Sequence, residues 1–361
     1  MILLSIEHVT EKMQVAKNIY SAEGNVLLAK GSYLNQHYID KLKLLGITSL
    51  YIIDSRVGQI EVEPLVKIET QKEVTKIAKE TMISIRNGQL LNGQRIEAVI
   101  GHVIKELIHN QTISYNMVEI RAMNDYHFSH NVTVCVLSIM TGIAMGYSDS
   151  KLKQLGTGAI LHDIGKAKIS ESILNKKGPL TPEEYQEIQK HPQIGYDVLH
   201  NCVDIDDITK CIPWQHHERF DGSGYPKGLK GNQIHEYARI VTLADVYDAM
   251  STDRIYRKRF FPHEVMEYIR DQGEILFDPE LTKIFLQNIA PFPIGSLVVL
   301  NTQEKAVVVK VPKDFPTRPE VDIIFGPDGE LLTTPIKKNL REDLTLFIIR
   351  AFKDNVEGEL H

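Results

Sequence analysis

The sequence predicts a multidomain fold: a predominantly helical middle, flanked by a small α+β N-terminal module and a small β-rich C-terminal domain. Three observations carry this. Apolar residues recur at helical spacing across residues 68–110, and helical patterning continues through 115–290. Short runs rich in β-branched residues, separated by Gly, Pro and Asp turns, follow Pro291. A chain of 361 residues has room for two or three domains.

Each segment has its own signal. Residues 1–62 form the N-terminal module. There, Val26 to Leu34 reads as a short strand, a Gly turn and a continuation. Residues 37–45 have helical spacing (Ile39, Leu42, Leu45) and stop at Gly46, a good C-cap. Residues 47–53 read as a strand. Residues 63–114 hold two amphipathic helices. Val74, Ile77, Ala78, Met82 and Ile85 mark the first. An Asn87-Gly88 break precedes Ile96, Val99, Ile100, Val103, Ile104 and Leu107 on the second. They read as a linker of packing helices, and the same pattern also fits a dimer-forming or signal-transmitting helix. Residues 115–290 are the helical domain with nearly all the informative residues. Residues 291–361 are the β-rich domain, with hairpin strands expected at 295–300, 306–311 and 321–325.

Composition narrows the function classes. The chain is 43% apolar and 24% charged, the balance of a protein with a sizeable core. A net charge of −6 and a pI near 6.2 argue against a broad surface for polymeric nucleic acid or membrane. A local cationic pocket for an anionic substrate remains compatible with it. Cys135, Cys202 and Cys211 are odd in number and form no CxxC pair, so they read as reduced structural residues. Residues 1–8 lack the basic start and long apolar run of a secretory signal. No run approaches the ~18 apolar residues of a membrane span. A cytoplasmic location is therefore the default.

Three stretches carry chemistry. In Ile160-Leu-His162-Asp163-Ile-Gly165-Lys166, a helix is expected to run from 155 to 164 and end at Gly165. Adjacent residues on a helix point about 100° apart, so His162 and Asp163 would reach one site from its edge. Alone, such a pair is more often a surface or capping feature. In the stretch 214–226, His216 and His217 end a helix and enter a loop containing Gly222, Gly224, Tyr225 and Pro226. The glycines allow a sharp turn and close approach to a ligand. Third, Asp245 sits in an apolar helical stretch, where a carboxylate without a cation is costly. The plainer reading is a surface Asp, as for Asp248 and Asp253, which look exposed. His130, at the start of a helix, and His191, before Pro192 at a helix N-terminus, complete the set. Each alone is more often structural. Together, five histidines and two aspartates without sulfur suit a pair of first-row ions, iron or manganese before zinc. Two ions ~3.5–4 Å apart can bind a phosphodiester oxygen, generate hydroxide and stabilise the leaving oxygen.

On these motifs, in this order, the sequence resembles the HD-GYP family of the HD phosphohydrolase superfamily, over about residues 115–290. The resemblance implies an all-α HD-type catalytic domain and hydrolysis of cyclic di-GMP to pGpG or GMP by a metal-bound hydroxide. By motif position, the metal ligands would be His130, His162, Asp163, His191, His216, His217 and Asp245, holding two divalent ions. Asp163 would bridge them and Lys166 would sit near the scissile phosphate. Gly222, Gly224 and Tyr225 would line the substrate pocket, and Arg254 and Arg257 would contact the rest of the dinucleotide. Two positions depart from the family pattern. Tyr126 stands where some members carry a Glu for a third metal, so two ions are expected. Arg257 stands where Lys is frequent. The flanking domains resemble segments beside such domains in other bacterial regulators, with no chemistry assigned. Competing readings are a phosphodiesterase for cyclic GMP-AMP, a weakly active dinucleotide-binding regulatory module, and a general nucleotide phosphohydrolase, which leaves the Gly-Tyr-Pro loop unexplained. A homodimer and a signalling protein partner both remain open.

Overall fold

Sheet and helix segregate into two units that alternate along the chain. The computed structural model describes the chain apart from residues 22–24, 48, 59, 61–63, 111–125, 177, 253–259 and 352–361, with only the backbone described at 126–129.

The first unit combines residues from both ends of the chain. At the N-terminal end, β1 (Ile2–Ser5) pairs antiparallel with β4 (Ser49–Ile52), and β2 (Ile19–Tyr20) with β3 (Val26–Leu28). Helix α1 (Gln36–Leu44) begins at Asn35, whose side chain accepts from the Tyr38 amide. It is followed by Gly46 at φ +75°, a left-handed position that suits glycine. At the other end lie β5 (Leu297–Leu300), β6 (Lys305–Lys310), β7 (Glu320–Phe325), β8 (Leu331–Asn339) and β9 (Ile348–Ala351). They form one antiparallel sheet in the order β8-β7-β6-β5-β9.

The N-terminal segment, read from sequence as a separate module, shares its core with this sheet. Ile2, Leu4, Ile39, Leu42 and Ile52 cluster with Val307, Ile324 and Phe325. The Leu3 amide donates to the Gly295 carbonyl at 2.8 Å, and the Tyr51 hydroxyl to that of Ile294 at 3.2 Å. Two two-stranded sheets and one helix bury too little apolar surface to stand alone.

The second unit is helical: α2 (Ile68–Arg86), α3 (Gly93–His109), α4 (Tyr126–Ala144), α5 (Asp149–Ile160), α6 (Glu171–Leu174), α7 (Pro182–Ile188), α8 (His191–His200), α9 (Asp207–Gln215), α10 (Glu236–Ser251), α11 (Pro262–Asp271) and α12 (Pro279–Gln287). Several of its helix starts carry side-chain caps. Ser148 caps α5, Thr181 and Glu184 form a capping box on α7, and Asp206 caps α9. Helices α4, α5, α9 and α10 pack together around fully buried side chains such as Leu137, Leu155, Ile160 and Tyr247. Among the described residues, no helix is long and apolar enough to cross a membrane.

One boundary differs from expectation and matters for the site. Helix α5 ends at Ile160, so His162 and Asp163 stand in a tight turn that leads into a 3₁₀ helix, Ile164–Lys168. The amides of Leu161, His162 and Ile164 each donate three residues back. The Ala159 carbonyl, the α-helical partner of the Asp163 amide, is instead shared with the His162 ring, whose Nδ1 lies 2.8 Å away. A side chain competing for a helix carbonyl ends the helix here. Gly165 does not stop that helix but admits the next one. A Cβ there would lie 2.0 Å from the His191 carbonyl oxygen and 2.7 Å from the Gly195 nitrogen. The turn and the start of α8 are thus in backbone contact, which brings His191 to Asp163.

Gly165→Ala is expected to destabilise the protein by about 1–3 kcal/mol or more, because backbone must move to admit the methyl group. It should also weaken divalent-ion uptake by displacing His191. Calorimetry with metal analysis checks this; an unchanged unfolding midpoint contradicts the contact.

Candidate metal centre

Five separate pieces of helix or turn deliver side chains to one place. His130 comes from the first turns of α4, and His162 and Asp163 from the turn after α5. His191 is the first residue of α8, His216 caps the end of α9 with His217 next to it, and Asp245 lies mid-way along α10. They form two groups. In one, ligand atoms of Asp163, His191, His216 and His217 all lie within 4.8 Å of one another; in the other, those of His130, His162 and Asp245 do.

Asp163 stands between the groups. Its Oδ1 is 3.3 Å from His191 Nε2 and 3.8 Å from His216 Nε2. Its Oδ2 is 3.5 Å from His162 Nε2 and 4.0 Å from His130 Nε2. Within the second group, His130 Nε2 is 3.3 Å from Asp245 Oδ1; from the first group, His217 Nδ1 is 3.9 Å from Asp245 Oδ2.

The ring tautomers follow from backbone contacts. Nδ1 of His162, His191 and His216 lies 2.8, 2.6 and 2.9 Å from the carbonyl oxygens of Ala159, Ile188 and Pro213. A carbonyl only accepts, so each Nδ1 carries the proton and each Nε2 presents a lone pair inward. Nε2 of His191 and of His216 face each other at 3.3 Å, lone pair to lone pair. Nε2 of His162 and Oδ1 of Asp163 are buried and have no hydrogen-bond partner among the described residues. Such electron-rich atoms crowd together at a cost unless a cation lies among them. The donor set, nitrogen and carboxylate oxygen without sulfur, fits first-row divalent ions.

Burial explains much of the electrostatics. It pushes the His162 imidazole down to about 4 and lowers His191 and His217 as well, so these rings are neutral at neutral pH. Burial opposes a charge on His130 too, but hydrogen bonds to Asp245 and Asp248 outweigh it and push that imidazole up to about 10. Burial likewise works against ionised Asp163 and Asp245. Lys166 beside the first and His130 beside the second hold them well below the usual carboxylate range.

Asp248 is the residue that sequence reasoning missed. Read there as exposed, it is 3% exposed and its Oδ2 lies 2.7 Å from His130 Nδ1. Its spacing of three from Asp245 on one helix was the available signal. A carboxylate behind a ligating imidazole orients the ring and raises its basicity.

The remaining expected residues fall as follows. Lys166 Nζ donates to Asp163 Oδ2 at 2.5 Å. Gly222 has φ +87°, and the Tyr225 ring stacks on His217 with centroids 4.8 Å apart. Gly224 lies against the segment 217–219, where a Cβ would meet the Arg219 nitrogen at 2.3 Å. Arg254 and Arg257 lie outside the described residues, as do Asp253 and the side chains of Tyr126 and His127. His235 caps α10 by accepting from the Tyr237 amide.

Residues 114–281 match the HD domain, and residues 297–357 the KOW domain associated with HD domain. A cyclic di-GMP phosphodiesterase of Pseudomonas aeruginosa is 30% identical over 69% of this chain and 61% of its own length. The cyclic di-GMP phosphodiesterase response regulator RpfG of Xanthomonas campestris pv. campestris is 38% identical over 40% of this chain and 39% of its own. A 3'3'-cGAMP-specific phosphodiesterase of Vibrio cholerae is 32% identical over 51% of this chain and 34% of its own. The chain thus spans between about a third and three-fifths of the length of these relatives. The chain carries an HD domain, followed along the sequence by the KOW domain associated with it.

Proposed function

We propose that this chain is a cytoplasmic, metal-dependent phosphodiesterase that hydrolyses a cyclic dinucleotide, cyclic di-GMP first among them, to pGpG or GMP. The observation that carries the reading is the Asp163 carboxylate, whose two oxygens face two different groups of inward-pointing imidazoles. The names of the relatives support the substrate class.

Two divalent cations, iron or manganese, would be held by these groups. Asp163, His191, His216 and His217 would take one; His130, His162 and Asp245 the other, with Asp163 shared between them. Bound there, the ions would supply Lewis acidity, making water more acidic and drawing charge from the phosphodiester. The chain's own residues do the rest. Lys166 is part-buried, with its ammonium at the shared carboxylate, so it can turn towards a phosphate oxygen or a leaving alkoxide and offset its charge. Asp248 and three backbone carbonyls hold four imidazoles in fixed orientations. Tyr225, stacked on His217, offers an aromatic wall for a purine. Arg254 and Arg257 complete the reading as contacts to the non-scissile half of the substrate.

Protein purified without oxygen and loaded with Mn²⁺ or Fe²⁺ is expected to turn over cyclic di-GMP, followed by chromatography of the products. Asp163→Ala should abolish turnover and Lys166→Ala should lower kcat about 10²–10³-fold. Full activity in Asp163→Ala contradicts the reading; much faster cleavage of cyclic GMP-AMP would replace the substrate.

Metal affinity should rise with pH. His130 carries a proton up to about pH 10, so at neutral pH a cation must displace it. Affinity is expected to rise about tenfold per pH unit between pH 6 and 9, since one proton is released. Asp248→Asn should weaken binding about 10–100-fold. Competition with a chelating dye measures both, and a pH-independent affinity contradicts the account.

A further inference from the structure

The residue after the two adjacent histidines, Glu218, is a carboxylate that is 1% exposed. A buried carboxylate needs strong partners, and this one finds them in the loop that follows. Its Oε1 accepts from the Lys227 amide at 2.8 Å and its Oε2 from the Leu229 amide at 3.0 Å. Hydrogen bonds to an ionised acceptor are the strong kind.

The other half of the same loop is fastened differently. Gly224 lies backbone to backbone on residues 217–219; a Cβ there would fall 2.5 Å from Glu218 Cα and 2.5 Å from the His217 carbonyl oxygen. The Tyr225 amide donates to that oxygen at 3.2 Å. Tyr225 and Pro226 therefore stand between two anchors, the Gly224 contact before them and the Glu218 carboxylate after them.

We propose that Glu218 is a positioning residue: its carboxylate clasps the 227–229 backbone and so holds the Tyr225 ring against His217 for the substrate. This rests on the phosphodiesterase reading for its consequence, although the clasp itself does not. The Glu218 carboxylate belongs to neither group of ligand atoms, and its hydrogen bonds go to the loop. Its effect reaches the substrate through the loop.

The chain carries its own reporter. Trp214 is its single tryptophan, and Lys227 Nζ lies over that ring, 5.9 Å from its centroid. Hydrogen exchange on the parent protein should show the Lys227 and Leu229 amides protected. In Glu218→Gln and Glu218→Ala these amides should lose protection and Trp214 emission should change, with metal content unaltered. KM for the dinucleotide should rise about tenfold or more while kcat changes less than about threefold. Glu218→Ala combined with Tyr225→Ala should be no worse than Tyr225→Ala alone, because the two act through one contact. Unprotected amides in the parent, an unchanged KM in Glu218→Gln, or additive losses in the double variant would overturn the proposal. If the loaded parent cleaves no cyclic dinucleotide, the phosphodiesterase reading fails, and exchange and emission still decide the clasp.

Discussion

The structure of the helical unit turns on one carboxylate, Asp163, held between imidazole lone pairs. Two anionic oxygens and several nitrogen lone pairs within a few ångströms repel one another in a medium that screens charge poorly. Lys166 offsets part of this at Oδ2, but among the described residues no hydrogen-bond donor reaches Oδ1. Positive charge would relieve this repulsion, and the surrounding packing must be stiff enough to hold the cluster together.

That stiffness comes from backbone rather than from side-chain packing alone. His162, His191 and His216 each direct Nδ1 at the carbonyl three residues earlier. The same device thus serves a turn, a helix start and a helix end. Each ring is locked in orientation and tautomer by the chain segment that delivers it. Gly165 then lets two of these segments touch, and the Thr242 hydroxyl of α10 donates to the His216 carbonyl at 2.8 Å, tying in a third. Asp248 performs the equivalent task for His130 with a carboxylate. It leaves that imidazole the most basic of the set, and the one whose proton competes with a cation.

Much of this could be read from the sequence, and the rest could not for definite reasons. Five of the seven ligand candidates stand out as a His-Asp pair, a His-His pair and an Asp in an apolar stretch, which are costly unless they share a purpose; His130 and His191 join them only through the combination and the family resemblance. In the structure they stand together. Asp248 was not legible: in a stretch with Asp245 and Asp253 close by in sequence it looks like one more solvated carboxylate, and only the fold shows α4 packing over it. The end of α5 was misplaced because Gly165 resembles a C-cap. Its real demand is steric, from a helix distant in sequence. Strand β8 escaped notice because it is an edge strand with a Pro at 335, little buried and without alternation. The shared core of the two chain ends could not be inferred from periodicity, which says which face is apolar but not what covers it.

The most direct test of a shared Asp163 is magnetic. On the proposed reading, chelated protein reloaded with Mn²⁺ should bind two ions per chain and give an exchange-coupled electron paramagnetic resonance spectrum, because the Asp163 carboxylate would be shared by both ions. An isolated six-line spectrum at every loading, or a single ion per chain at saturation, would contradict a site built around that carboxylate.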